Sequence, residues 1–381
     1  MVRSPVERAE VVGRRLAAAS RLLAVPAMAL LLALTGVLVL QGDRLAAALV
    51  SQVGAADEGP ITPAGDQGAA GPPTVAPPVP VLPARDVQVP ATPDHPGYTL
   101  YLPEGPDEPR PALLVLHGMN GSGPGMASLL LPYARSQGWA VIAPTMPYGN
   151  DWRDPASLAE EELRLLPQLA TLLDAVPAET GAVLHNRVLI FGFSRGGQAG
   201  LRFTMFSPER VQAVASLSAG TYTLPAPIVK TVAGAIMPAP MPFGVAGLEQ
   251  RLGHPIDLQA LSTVRFLIGV GANDNREGDV PRQWDPYIGK TRLERAQRFA
   301  DVLAQLGFQV QVAIVPGAAH EVNAAMLEPV LAFLTDAARQ LRAEPPAPQG
   351  PTAAPLDGAE AAGAAPGALS ALARPAVPRG V

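Results

Sequence analysis

The stretch at 187–205, RVLIFGFSRGGQAGLRFTM, constrains this chain more than any other. Its first part is apolar at consecutive positions, the pattern of a strand covered on both faces. Its second part reads as a helix. Only Gly192-Phe193-Ser194-Arg195-Gly196 separates the two, so the chain must turn sharply there. The residue at the turn takes strained backbone, and small neighbours relieve the crowding of strand against helix. That requirement accounts for Gly192 and Gly196, with Gly197 beside them. Such a turn lifts the Ser194 hydroxyl above the edge of a sheet and aims the following N–H groups, at a helix N-terminus, toward the same point. The competing reading is a strand–turn–helix link with a phosphate-type glycine loop. A Walker loop would need Gly-Lys-Ser/Thr, and no lysine stands near.

The segment around this turn repeats the same alternation. Apolar runs at 112–117 (ALLVLH), 140–144 (AVIAP), 187–193 (RVLIFGF), 211–218 (VQAVASLS), 264–271 (VRFLIGVG) and 308–315 (FQVQVAIV) predict strands. Helical patterns lie between them. One starts at Asp154-Pro155, an N-cap followed by proline at the first helical position, and Pro167 is expected to kink or interrupt it. Another starts at Thr291, with Glu294 at capping-box spacing and Gly307 closing it. Strand and helix in alternation imply an α/β sheet, mostly parallel, with helices on both faces. VQVPAT and YTLYLP (98–103) are expected to add an antiparallel pair at one edge.

A serine is a poor nucleophile until a base takes its proton. In the G-x-S-x-G arrangement the partners follow in the order serine, acid, histidine. Of the histidines at 95, 117, 185, 254 and 320, only His254 and His320 follow Ser194. His254 precedes every candidate acid at a strand end. His320, in VAIVPGAAHE, stands just past the last strand and is the expected base. The acid should follow VRFLIGVG, where the loop reads GANDNREGDVPRQWD. Asp274 is nearest the strand end; Asp279, Asp285 and Glu277 compete with it. An oxyanion site needs two backbone N–H donors. One is expected at Arg195, the other in the loop HGMNGSGPG at Met119, with Asn120 the alternative. His117 is expected to prop that loop, and the Arg195 side chain to pair at the surface.

With LLVLHGMNGSG, GFSRGG, GVGANDN and VPGAAHE in this order, the chain resembles the α/β-hydrolase superfamily over roughly 87–343. The likeness is to its serine esterases and to the dienelactone-hydrolase-like and polyester-depolymerase-like branches. It departs from dienelactone hydrolases proper, which use a cysteine, and from esterases with an HGGG loop. The resemblance implies cleavage of a small-molecule or polymeric carboxylic ester on Ser194, Asp274 and His320. Acyl transfer or amide hydrolysis on the same residues is the alternative, as is a non-catalytic binding module. No metal or organic cofactor is expected. The apolar, proline-rich stretch 222–262 is long for a loop and is a candidate cap over the serine, with a buried excursion that makes no substrate contact as the alternative. Trp152 and Tyr148 are candidates for the pocket rim.

The ends of the chain have another texture. Residues 22–42 carry no charge and are long enough to cross a bilayer, with five arginines before them in the segment 1–21. The positive-inside rule then puts the N-terminus in the cytoplasm and the rest across the membrane. An uncleaved anchor is expected, with a cleaved signal peptide and a secreted protein as the alternative. Residues 43–86 and 344–381 are rich in proline and alanine and predict a spacer and a disordered tail. The net charge of −5 gives no reason to expect nucleic-acid binding. With no cysteine in the chain, disulfides, zinc–thiolate sites and a cysteine nucleophile are excluded.

Overall fold

The computed structural model describes residues 80–343. The chain divides into two units, 1–76 and 77–381, and the described residues all belong to the second. The basic segment 1–21, the transmembrane segment expected at 22–42, the spacer as far as residue 79 and the tail 344–381 lie outside the described residues. Among the described residues no helix is long and apolar enough to cross a membrane.

Eight strands form the central sheet: β1 (Arg85–Val89), β2 (Tyr98–Leu102), β3 (Ala112–Leu116), β4 (Ala140–Pro144), β5 (Val188–Phe193), β6 (Val211–Leu217), β7 (Arg265–Gly271) and β8 (Gln309–Val315). Their order across the sheet is β8-β7-β6-β5-β3-β4-β2-β1. From β4 to β8 every pairing is parallel, while β2 runs antiparallel to both β4 and β1. This is the α/β-hydrolase fold. The antiparallel edge falls on the two segments expected to supply it. The first strand begins at Arg85, inside the expected spacer, and a short strand Val81–Leu82 precedes it.

Two cores sandwich the sheet, because side chains alternate across a strand. Ala112, Leu114 and Leu116 join a cluster with the helices α1 (Pro155–Thr180), α2 (Arg195–Phe206) and α3 (Arg292–Gln305). Leu113 and Val115 face the other way, into a cluster with α4 (Ala324–Ala343). The caps read from sequence are in place. Ser157 N donates to Asp154 Oδ2 at 2.7 Å, and Glu294 N donates to Thr291 Oγ1 at 3.1 Å.

Helix α1 runs uninterrupted through Pro167. Its stripe of Leu158, Leu165, Leu166, Leu169, Leu172, Leu173 and Val176 is buried. Each such side chain contributes roughly 1.5–3 kcal/mol on burial. A proline inside a helix costs about 3 kcal/mol, so the packing prevails. Pro167 and Pro177 both lie on the exposed side, away from the packed stripe.

The stretch 222–262 takes the place of a buried excursion and not of a cap over the serine. It holds a small antiparallel pair, Ile228–Lys230 with Ile236–Pro238, and two short helices. Its aromatic residues pack on α3 and on the segment before it. Tyr222 stacks on Phe299, and Phe243 lies 4.7 Å from Trp284 and 4.6 Å from Tyr287 between ring centroids. Its apolar composition is thus absorbed by a flank of the core.

Candidate active site

The strand order reverses at β3, whose neighbours β4 and β5 are both reached by crossovers. In open α/β sheets the crevice outside the carboxyl ends of strands at such a point receives ligands. Here it collects the loop after β3, the turn after β5 and the loops after β7 and β8.

Ser194 sits on the turn between β5 and α2 with φ 53° and ψ −113°, a strained conformation for a side chain with a Cβ. Leu217 O holds it by accepting from Ser194 N at 2.8 Å. The flanking glycines are required sterically. A Cβ on Gly196 would come within 2.1 Å of Leu116 O, and one on Gly192 within 2.4 Å of Gly196 O.

The loops after β7 and β8 are joined to each other by backbone bonds. Ala272 N donates to Val315 O and Asn273 N to Ala318 O, each at 2.9 Å. Gly271 permits this contact, since a Cβ there would lie 2.4 Å from Ala318 O. The junction brings Asp274 and His320 together. His320 Nδ1 lies 2.8 Å from Asp274 Oδ2, and His320 Nε2 lies 3.1 Å from Ser194 Oγ. An ionised carboxylate only accepts, so Nδ1 carries the proton and Nε2 is free to accept from the serine hydroxyl. The imidazole also packs on the Phe193 ring, 5.0 Å between centroids.

Asp274 is buried, and burial raises its pKa. The hydrogen bond from His320 and the charge of Arg292 outweigh that and hold the carboxyl below its ordinary value. Arg292 Nη1 donates to Asp274 Oδ1 at 3.0 Å. No feature of the sequence singled out Arg292; it is the first residue of α3, remote from Asp274 along the chain. Of the other acids in that loop, Asp279 lines the cleft and pairs with Arg276, while Asp285 pairs with Arg282 and Arg295. Glu277 pairs with Arg282.

The loop after β3 reaches the same crevice. A Cβ on Gly118 would lie 3.5 Å from Ser194 Cβ. His117 braces this loop as expected. Met146 N donates to its Nε2 at 2.9 Å, which leaves the proton on Nδ1 to donate to Gly118 O at 2.7 Å. Burial lowers the pKa of this ring, which favours the neutral form. Met119 and Asn120 both line the cleft, and Asn120 has a positive φ of 57°.

The cleft measures about 530 Å³. Its wall includes Met119, Asn120, Trp152, Ser194, Arg195 and His320. Trp152 therefore stands where the sequence put it. Tyr148 is not on the wall: its ring packs on His117, 5.2 Å between centroids, and beneath the Arg195 guanidinium at 4.9 Å. The stretch 222–262 contributes none of the lining residues.

Arg195 departs from the surface pairing expected of it. It is 1% exposed. Its Nη1 donates to Glu162 and its Nη2 to Glu161 at 2.6 Å. Glu162 also accepts from Arg202 at 3.0 Å. A buried charge survives only with partners, and AEEELR at the start of α1 supplies them. Glu161 Oε2 in addition accepts from Gly149 N at 2.8 Å, which ties the 146–150 loop to the turn carrying Ser194.

A family model described as esterase FrsA-like matches residues 85–239, a span that includes Ser194 and ends before Asp274 and His320. Among solved structures the chain is similar to a poly(3-hydroxybutyrate) depolymerase from Bordetella parapertussis, with 21% identity and a TM-score of 0.49 over 65% of this chain and 87% of that one. A poly(aspartic acid) hydrolase from Sphingomonas sp. KT-1 shows 21% identity and a TM-score of 0.47 over 66% and 98%. An S-formylglutathione hydrolase from Agrobacterium tumefaciens shows 17% and 0.45 over 68% and 99%. No curated protein matches the sequence.

Proposed function

We propose that this α/β-hydrolase-fold protein is a serine hydrolase that cleaves carboxylic esters through an acyl-enzyme. The observation that carries the reading is the unbroken chain from Ser194 Oγ to His320 at 3.1 Å and from His320 to Asp274 at 2.8 Å. The esterase family model matched over 85–239 supports it.

In this mechanism Ser194 Oγ attacks the ester carbonyl as its proton passes to His320 Nε2. Asp274 keeps Nδ1–H oriented and stabilises the imidazolium. Negative charge on the carbonyl oxygen meets the N–H groups of Arg195 and Met119. Arg195 opens α2, and first-turn amides have no partner within their own helix. Collapse breaks the C–O bond, and His320 returns the proton to the departing alcohol. Water then gives a proton to His320 and attacks the acyl carbon, releasing the acid and restoring Ser194.

A fluorophosphonate probe tests this reading. The full-length protein is expected to gain the mass of one phosphonyl group on Ser194, and Ser194→Ala to gain none. Folded protein that does not label would leave the non-catalytic alternative.

The uncharged run 22–42, with arginines before it, supports placing the hydrolase domain across the cytoplasmic membrane on an uncleaved anchor. Protease added to spheroplasts should digest the domain before lysis. Protection until lysis would reverse the assignment.

A further inference from the structure

Among the described residues the last strand of the sheet, β8, pairs with β7 alone. The pairing runs over seven consecutive residues, from Gln309 against Arg265 to Val315 against Gly271, with no shift of register. A straight edge of this kind presents a row of main-chain donors and acceptors to any strand that meets it. Folded proteins commonly blunt such an edge with charge, proline or a bulge. Strand β8 reads QVQVAIV and has none of the three. The opposite edge of the sheet differs. Strand β1 reads RDVQV, and its Asp86 pairs with Arg135 at 3.3 Å.

The side chains of β8 are also uncovered. Val312 is 47% exposed and Ile314 40%, and Gln309 and Gln311 are exposed on the other face. Within the strand only Val315 is fully buried. The flanking segments of the chain are poor occupants for this edge. Residues 43–79 and 344–381 are rich in proline, alanine and glycine; proline cannot donate to a ladder, and alanine and glycine are depleted in strands. A second copy of β8 suits it, because the strand extends equally to either side of Val312. In antiparallel pairing about a two-fold axis there, Val312 meets Val312 of the second copy, and Val310 meets its Ile314 on each side of the axis. Gln311 meets Ala313 on the opposite face. These are β-branched cross-strand pairs with no like charges opposed, so the edge is complementary to itself, as a two-fold interface requires.

We infer that two copies of this chain associate through their β8 edges, antiparallel about Val312, so that two eight-stranded sheets become one. None of residues 309–315 lines the cleft, so each copy keeps its own site.

The test uses the full-length protein in mild detergent. Light scattering on a sizing column should give the mass of two chains. Val312→Lys sets two like charges face to face at the axis and should raise the dissociation constant roughly tenfold or more. Because the chain has no cysteine, a single introduced cysteine reports on its own position. A short bismaleimide should link Val312→Cys into a covalent dimer, since directly opposed residues stand about 4.5–5.5 Å apart at Cβ. Leu129→Cys, equally exposed at 47% but off the strand, should not link. The cysteine pair decides the matter if Val312→Lys does not fold. A mass of one chain at about 0.1 mM, where a micromolar pairing would be almost complete, overturns the proposal. So does a two-chain mass that folded Val312→Lys leaves intact, or linking at 312 no faster than at 129.

Discussion

Arg292 and His320 share one carboxylate: Arg292 Nη1 donates to Asp274 Oδ1 at 3.0 Å, and His320 Nδ1 donates to Oδ2 at 2.8 Å. The hydrogen bond from His320 and the charge of Arg292 together keep Asp274 ionised in spite of burial, and an ionised Asp274 keeps the histidine proton on Nδ1. Asp274→Asn should therefore lower kcat on a p-nitrophenyl ester by roughly 10³–10⁴-fold. Asp279→Asn should cost far less, because its carboxylate pairs with Arg276 and makes no bond to the histidine. Steady-state kinetics on the two variants decide which acid serves His320.

Glu162 is the centre of a buried pair of ion pairs, to Arg195 and Arg202. Removing the carboxylate leaves two guanidinium groups without their buried partner, so Glu162→Gln should lose about 3–5 kcal/mol at neutral pH. Burial raises the pKa of Glu162, and the two arginines together lower it further, so the net direction is down. A carboxyl with a depressed folded-state pKa stabilises above its unfolded pKa and loses that contribution as pH falls through the folded value. The stability gap between the protein and Glu162→Gln should thus be full at pH 7, begin to close as pH falls through the ordinary glutamate range, where the unfolded chain takes up the proton, and finish closing below that range. Denaturant unfolding at a series of pH values measures it. A gap that does not change with pH would mean that Glu162 binds its proton equally in the folded and unfolded chain, and a gap that widens as pH falls would mean that it is uncharged in the fold.

The glycines at the turn differ in kind from those at helix ends. At Gly192 and Gly196 an added Cβ meets backbone atoms, which cannot move aside as a side chain can. Alanine at either position should cost about 3 kcal/mol or more, at or beyond the upper end of ordinary overpacking. Gly181 closes α1 with φ 66° and has nothing within 4 Å of a built Cβ. Alanine there meets only the left-handed backbone penalty, about 1 kcal/mol. Denaturation midpoints of the three variants should separate accordingly.

Much of this site was legible because its parts follow local rules. Strands buried on both faces announce themselves as apolar runs, and the turn after β5 needs glycines at fixed spacing. Ser194, Asp274 and His320 each stand just past such a strand, so their convergence followed from the order of the elements. Arg195 and Arg292 were illegible for the opposite reason. Their partners, Glu161 with Glu162 and Asp274, lie on other elements, and a long-range ion pair leaves no periodic mark in either segment. The stretch 222–262 misled because apolar composition records burial without saying against what. Tyr222 and Phe243 are buried on Phe299 and Trp284, not over the serine. Pro167 does not end α1, because the leucine stripe beside it offsets its local cost.

The central claim is that Ser194 and His320 act as one unit in cleaving an ester. The most direct measurement is the turnover of p-nitrophenyl butyrate by the full-length protein, Ser194→Ala, His320→Ala and the double variant, each shown to be folded. Residues that act together lose their effect together. Each single substitution should lower kcat by roughly 10⁴-fold or more, and the double variant should fall less than about tenfold further. Turnover by Ser194→Ala close to that of the unsubstituted protein, or losses that multiply in the double variant, would contradict the account.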